Sequence, residues 1–196
     1  MAKRKSKAVA RRSQPVASES QKNSRVKLSL GDVIEFETSK GFAYAQYVYK
    51  HSRAQAYGEL FRIVDGCFPN RVDLDTVVKR NASYVCFCRP YPELKTGIAR
   101  IVSNAAIPVD AKTLPLFKWA FRNILTGKVI RWEIWDGKTR KGRPVEKLAE
   151  SEKQYPLLET VTLDVVIARI EANWKPKDEC SPEATSVFGD KRRRRP

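Results

Sequence analysis

Few side chains in this sequence could do chemistry, and their spacing argues against catalysis. His51 is the single histidine. It stands beside Ser52 and Arg53 between two strand-like runs, where a surface loop position is expected. No second histidine exists to complete a metal site or a Cys–His pair. The four cysteines, Cys67, Cys86, Cys88 and Cys180, include no C-x-x-C pair. Cys86 and Cys88 fall on the same side of one strand, a poor geometry for a disulfide. Reduced, mostly buried thiols in a cytoplasmic protein are therefore expected. Glu35 and Glu37 lie two apart, as paired catalytic carboxylates can, but any solvent-facing strand side repeats that spacing. Asp73 and Asp75 flank a helix start, where capping accounts for them. Glycine-rich phosphate loops and the G-x-S-x-G nucleophile turn are absent. The expectation is a protein that is not an enzyme and uses no cofactor or metal.

Aromatic residues and basic runs are the remaining candidates. Tyr44, Tyr47, Tyr49, Tyr57, Trp132 and Trp135 could stack nucleic-acid bases beside cations. Aromatics on curved sheets more commonly serve as core and cross-strand pairs. Trp132 and Trp135 fall on opposite faces of one extended run, so at least one is expected to be reachable. Tyr47, Tyr49, Trp132 and Trp135 are thus candidate partner anchors. The formal net charge is +16, but it is unevenly placed. Residues 1–28 carry nine Lys/Arg against one acid, and residues 175–196 carry seven against four. Lys3, Arg4, Lys5, Lys7, Arg11 and Arg12 form one basic cluster and Arg192, Arg193, Arg194 and Arg195 a second. Both are candidate phosphate or nucleic-acid contacts, of the non-specific, salt-sensitive kind.

The elements that must position these residues follow from hydrophobic periodicity. Val33, Ile34 and Phe36 form a short strand entered through Gly31-Asp32. Thr38-Ser39-Lys40-Gly41 supplies turn chemistry, since glycine tolerates the positive φ of a tight hairpin. Phe42 to Lys50 gives a long strand, with Phe42, Tyr44 and Val48 on one face and Tyr47 and Tyr49 on the other. Leu60 to Val64 returns before Asp65-Gly66. This curved antiparallel sheet is expected to form an SH3-like barrel in the N-terminal half of an α+β domain. Asp73 begins a short helix or strand through Val78, Ser83–Cys88 forms a central strand ended by Pro90 and Pro92, and Gly97–Val102 forms another. Leu116–Leu125 reads as a helical turn and Val129–Trp135 as a strand. Leu163, Val166, Ile167, Ile170 and Trp174 recur at helical spacing after Thr162, and Pro176 stops that amphipathic helix. Residues 1–28 and 175–196 lack apolar side chains to offset the entropy of ordering, so both are expected to be disordered basic tails around a 29–174 domain. No stretch approaches the roughly 20 apolar residues of a membrane span, and the N-terminus lacks the apolar segment of a secretory signal.

The pattern GDVIEF, GFAYAQYVY and LFRIVDG resembles the opening of immunity protein family 26 from bacterial polymorphic toxin systems. The later WEIWDG segment and the amphipathic end at Thr162–Trp174 are similar to the family's tail. The resemblance covers about residues 29–174. The stretch Gly97–Asn104 departs from it, lacking a Trp near Ile98–Arg100 and a glycine near Asn104. The resemblance implies a non-catalytic binding protein that neutralises a cognate toxin by direct protein–protein contact. A nucleic-acid-binding protein using basic tails and the sheet is the alternative that composition leaves open.

Overall fold

A two-residue turn, Ser39-Lys40, starts the main sheet by joining β1 (Asp32–Thr38) to β2 (Gly41–Lys50) in antiparallel register. Gly41 is required there twice over. Its φ is +112°, and a Cβ would stand 2.2 Å from the carbonyl oxygen of Phe68. The chain is described here by a computed structural model covering residues 26–52, 57–138 and 142–180.

β3 (Glu59–Val64) and β4 (Ala82–Cys88) extend the meander, while β5 (Ala99–Asn104) returns to pair with β1. Asp73 caps the intervening α1 (Leu74–Lys79), its carboxylate accepting from Thr76 N at 3.3 Å. A second short helix, α2 (Tyr91–Thr96), ends on Gly97 in the left-handed region. β6 (Phe117–Arg122), β7 (Val129–Trp135) and β8 (Arg143–Val145) form a separate antiparallel sheet. β9 (Thr160–Val161) lies parallel to β4, and α3 (Leu163–Glu171) follows. The large sheet has the order β5-β1-β2-β3-β4-β9.

Both faces of the large sheet are covered, which explains why its strands are apolar on both sides. On one face Ile34, Phe36, Tyr47, Phe61, Ile63 and Cys86 pack under α3, whose Leu163 and Val166 are fully buried. Each of those two side chains contributes about 1.5–3 kcal/mol by leaving water. On the other face, α1 sits over Val33, Tyr44 and Phe68, and the small sheet sits over Val48, Leu60 and Phe87 through Phe117 and Trp135.

Several expectations are corrected. The large sheet stays open, with β5 and β9 as its edges, and does not close into an SH3-like barrel. Residues Phe117–Arg122 form a strand instead of a helical turn, because Phe117, Trp119 and Phe121 alternate at strand period and pair with β7. A register shift in β2 between Tyr47 and Tyr49 moves Tyr49 to the cluster of Val48, away from the face that holds Tyr47. Ile170 is only half-buried, so Leu163 and Val166 anchor α3 together with Trp174. Beyond residue 174, Pro176–Cys180 is a 3-10 turn, and Lys175 donates to Asp65 and Ser83, each at 2.8 Å. Residues 1–25 and 181–196, hence most of both expected tails, lie outside the described residues.

Candidate partner-binding surface

The β6–β7 hairpin carries four of the exposed large apolar side chains among the described residues, including the two most exposed. Ile124 and Leu125 in its turn are 98% and 94% exposed, and Ile130 on β7 is 64% exposed. The turn is built to hold them there. Asn123 Oδ1 accepts from Leu125 N at 2.9 Å and Thr126 N at 3.0 Å, an Asx-type turn. Asn123 N donates to Lys128 O, Gly127 N donates to Asn123 O, both at 2.8 Å, and Arg122 Nη1 donates to Gly127 O at 3.1 Å. With its backbone groups satisfied locally, the turn projects two aliphatic side chains into solvent instead of folding them inward.

Behind the tip, Trp119 is 48% exposed and lies against Phe121, with ring centroids 4.7 Å apart. The Arg131 guanidinium rests over the Phe121 ring at 4.4 Å. Arg131 and Lys128 are exposed, so the apolar strip has a cationic border. Burying the two tip residues in a partner would release about 1.5–3 kcal/mol each.

The base of the hairpin is bolted down. Lys118, fully buried, donates from Nζ to Lys153 O at 2.6 Å, to Pro176 O at 2.7 Å and to Cys180 Sγ at 3.2 Å. Burial pulls its pKa below the ordinary lysine value, against the pull of Cys180, Glu179 and Asp178. Arg122 pairs with Glu179 at 2.6 Å. The main chain of Lys118 bonds to Pro156 and Leu158. The turn at 176–180 therefore braces the strand that presents Trp119, and the tip projects from a fixed support.

The anchors expected from sequence are elsewhere. Tyr47, Trp132 and Trp135 are 4%, 7% and 6% exposed, and Tyr49 is half-buried. Opposite faces did not expose either tryptophan, because the small sheet is covered on both sides: Trp135 packs on Phe117 in the intersheet core, and Trp132 packs with Ile134 and Leu148. The four residues do not share one patch. The basic clusters Lys3, Arg4, Lys5, Lys7, Arg11, Arg12 and Arg192–Arg195 lie outside the described residues. Trp119, Phe121, Ile124, Leu125 and Ile130 are the residues that sequence reasoning missed. The signals present were the F-K-W-A-F-R alternation and an Ile-Leu pair set between Asn123 and Gly127.

Of the titratable candidates, His51 and Glu35 lie within the packing of the fold, and Glu37 does not. His51 is buried, not at the surface, with Nε2 facing Gly137 O at 2.9 Å and its ring against Tyr57, Phe87 and Trp135. Glu35 is buried, whereas Glu37 is exposed. Glu35 accepts from Tyr44 Oη at 3.0 Å, Arg71 Nε at 3.0 Å, and Arg100 through Nε at 2.8 Å and Nη2. Burial pushes its pKa up, but the hydrogen bonds from Arg71, Arg100 and Tyr44 prevail and hold it below the ordinary value. All four cysteines are free, and burial pushes the Cys86 thiol up to about 12 and raises that of Cys88. Among the described residues no group of three or more His, Cys, Asp or Glu side chains could hold a metal ion, and no helix is long and apolar enough to cross a membrane. Compared with known proteins, the chain matches no family model, no curated protein and no solved structure.

Proposed function

We propose that this protein is a non-catalytic binding module of the bacterial immunity type, which neutralises a cognate toxin in the cytoplasm by covering it. The observation that carries this reading is the hydrogen-bonded hairpin turn with Ile124 and Leu125 almost fully exposed at its tip and Trp119 behind them. Exposed aliphatic and tryptophan side chains on a braced support have the character of an interface core, lacking only a partner to exclude water. The cationic border of Lys128 and Arg131 complements an acidic toxin surface. The sequence resemblance to immunity protein family 26 supplies the class of partner.

The test is a search of the gene's neighbourhood for a toxin domain, whose absence would count against this reading, followed by protection of cells that express the toxin so found. The wild-type chain should protect. The triple variant Trp119→Ala, Ile124→Ser, Leu125→Ser should keep its melting temperature within a few degrees and lose protection. Full protection by that variant would place the interface elsewhere. A second reading, nucleic-acid binding, draws support from the Trp119–Phe121 pair beside Arg131, which offers bases a stacking platform. Serine replacement of both terminal basic clusters separates the readings. Retention on heparin that survives the replacement and is lost with Trp119→Ala favours nucleic acid.

A further inference from the structure

A second site stands apart from the hairpin tip. Arg62 on β3 is 3% exposed, yet no carboxylate among the described residues pairs with it. Its guanidinium closes the end of α1, donating from Nη1 to Val78 O at 3.1 Å and from Nη2 to Arg80 O. A third N–H reaches Gln46 Oε1 at 3.4 Å, a long contact. Helix C-terminal carbonyls offset part of a cation's burial cost, but the remaining N–H groups, including Nε–H, have no partner among the described residues. Burial accordingly depresses the arginine's pKa from its ordinary value, against the attraction of Asp110.

Arg62 lines a cleft of about 430 Å³ between the end of α1 and the connector from Pro108 to Pro115. The floor is apolar, with Val48, Leu60 and Val85, while Lys79, Arg80 and Asn81 stand at one wall and Asp110 at the other. Two cationic residues, Arg62 and Lys79, thus line the cleft with one carboxylate, while the Arg80 guanidinium lies over the Phe68 ring at 4.8 Å. The volume lies in the range of small-molecule sites, and the mix of apolar floor with a few convergent polar groups is their usual composition.

We propose that this cleft binds a small molecule carrying an oxyanion. Its phosphate or carboxylate is received by Arg62, with Lys79 and Asn81 at the rim, and its body lies on Val48, Leu60 and Val85. A planar guanidinium with free N–H groups suits such an anion geometrically as well as electrostatically.

The experiment follows arginine Nε–H resonances of the ¹⁵N-labelled full chain by NMR during separate titrations with inorganic phosphate and succinate. Sodium chloride holds ionic strength constant, so that non-specific effects on other arginines stay fixed. Loss of one resonance in Arg62→Lys assigns it. Because that substitution can disturb the fold, Lys79→Gln, at an exposed position, serves as the functional variant. The Arg62 resonance should shift saturably with at least one anion, and Lys79→Gln should weaken that binding roughly threefold to tenfold. A tighter response to phosphate assigns a phosphorylated ligand, and a tighter response to succinate assigns a carboxylate. An Arg62 resonance that stays fixed or a shift that does not saturate overturns the proposal and leaves Arg62 as a helix-end bolt only, and saturation indifferent to Lys79→Gln overturns the assignment of the site to this cleft.

Discussion

Replacing Glu35 with glutamine should destabilise the fold by about 1–2 kcal/mol near neutral pH, and the deficit should vanish in acid. Glu35 joins four parts of the chain: β1, which carries it, Tyr44 on β2, Arg71 before α1, and Arg100 on β5. Glutamine can keep an oxygen toward the arginines and turn its amide toward Tyr44, so the main loss is charge. A hydrogen bond between two charged groups is about twice as strong as a neutral one, a difference of about 1 kcal/mol for each arginine. The side chains of Arg71 and Arg100 are 55% and 49% exposed, so solvent screening trims that sum. For a chain of this size the result is a fall in Tm of roughly 2–8 °C. The folded-state pKa of Glu35 is lowered, so its stabilisation is complete above the ordinary value of 4.5 and disappears as pH falls through the lower folded value. Thermal melts of both proteins across that range should converge at low pH, since the substituted amide does not titrate. An equal gap at acidic and neutral pH, or no gap at neutral pH, would refute the ion-pair origin of the effect.

Leu163→Ala, at a fully buried position of α3, should cost about 2–5 kcal/mol in urea unfolding, whereas Ile170→Ala, half-buried on the same helix, should cost clearly less; equal losses would contradict the packing of α3. A thiol reagent on the native protein should label Cys67 and Cys180 and spare Cys86 and Cys88 until denaturant is added, because the latter two are buried and their thiols resist ionisation. Gly41→Ala should destabilise by about 2 kcal/mol or more, through both its positive φ and the approach of Phe68 O, as read by Tm.

Local pattern carried much of the fold. The hairpin of β1 and β2 was legible from Gly31, Gly41 and the apolar alternation between them, and α3 from the spacing of Leu163, Val166 and Trp174. What stayed hidden depended on partners distant in sequence. His51 looks like a loop residue until Gly137, 86 residues away, closes over it. Glu35 looks solvent-facing until Arg71 and Arg100 arrive, and the burial of both Trp132 and Trp135 follows from cover on two sides of a sheet that sequence alone leaves half open. The hairpin surface was obscured for a different reason. Phe117, Trp119 and Phe121 have strand period, but Lys118 between them reads as a solvent residue; in the fold it is the buried bolt that fixes the strand.

The most direct measurement is calorimetric titration of the full chain with the proposed partner, a toxin domain sought in the gene's neighbourhood, wild type against the Trp119→Ala, Ile124→Ser, Leu125→Ser variant. Loss of a tryptophan anchor and of two aliphatic side chains that the partner would cover should raise Kd by at least about a hundredfold, since each 1.4 kcal/mol is a factor of about ten. An affinity unchanged by the three substitutions, or no complex with the wild-type chain, would contradict the assignment of this hairpin as the toxin-binding surface.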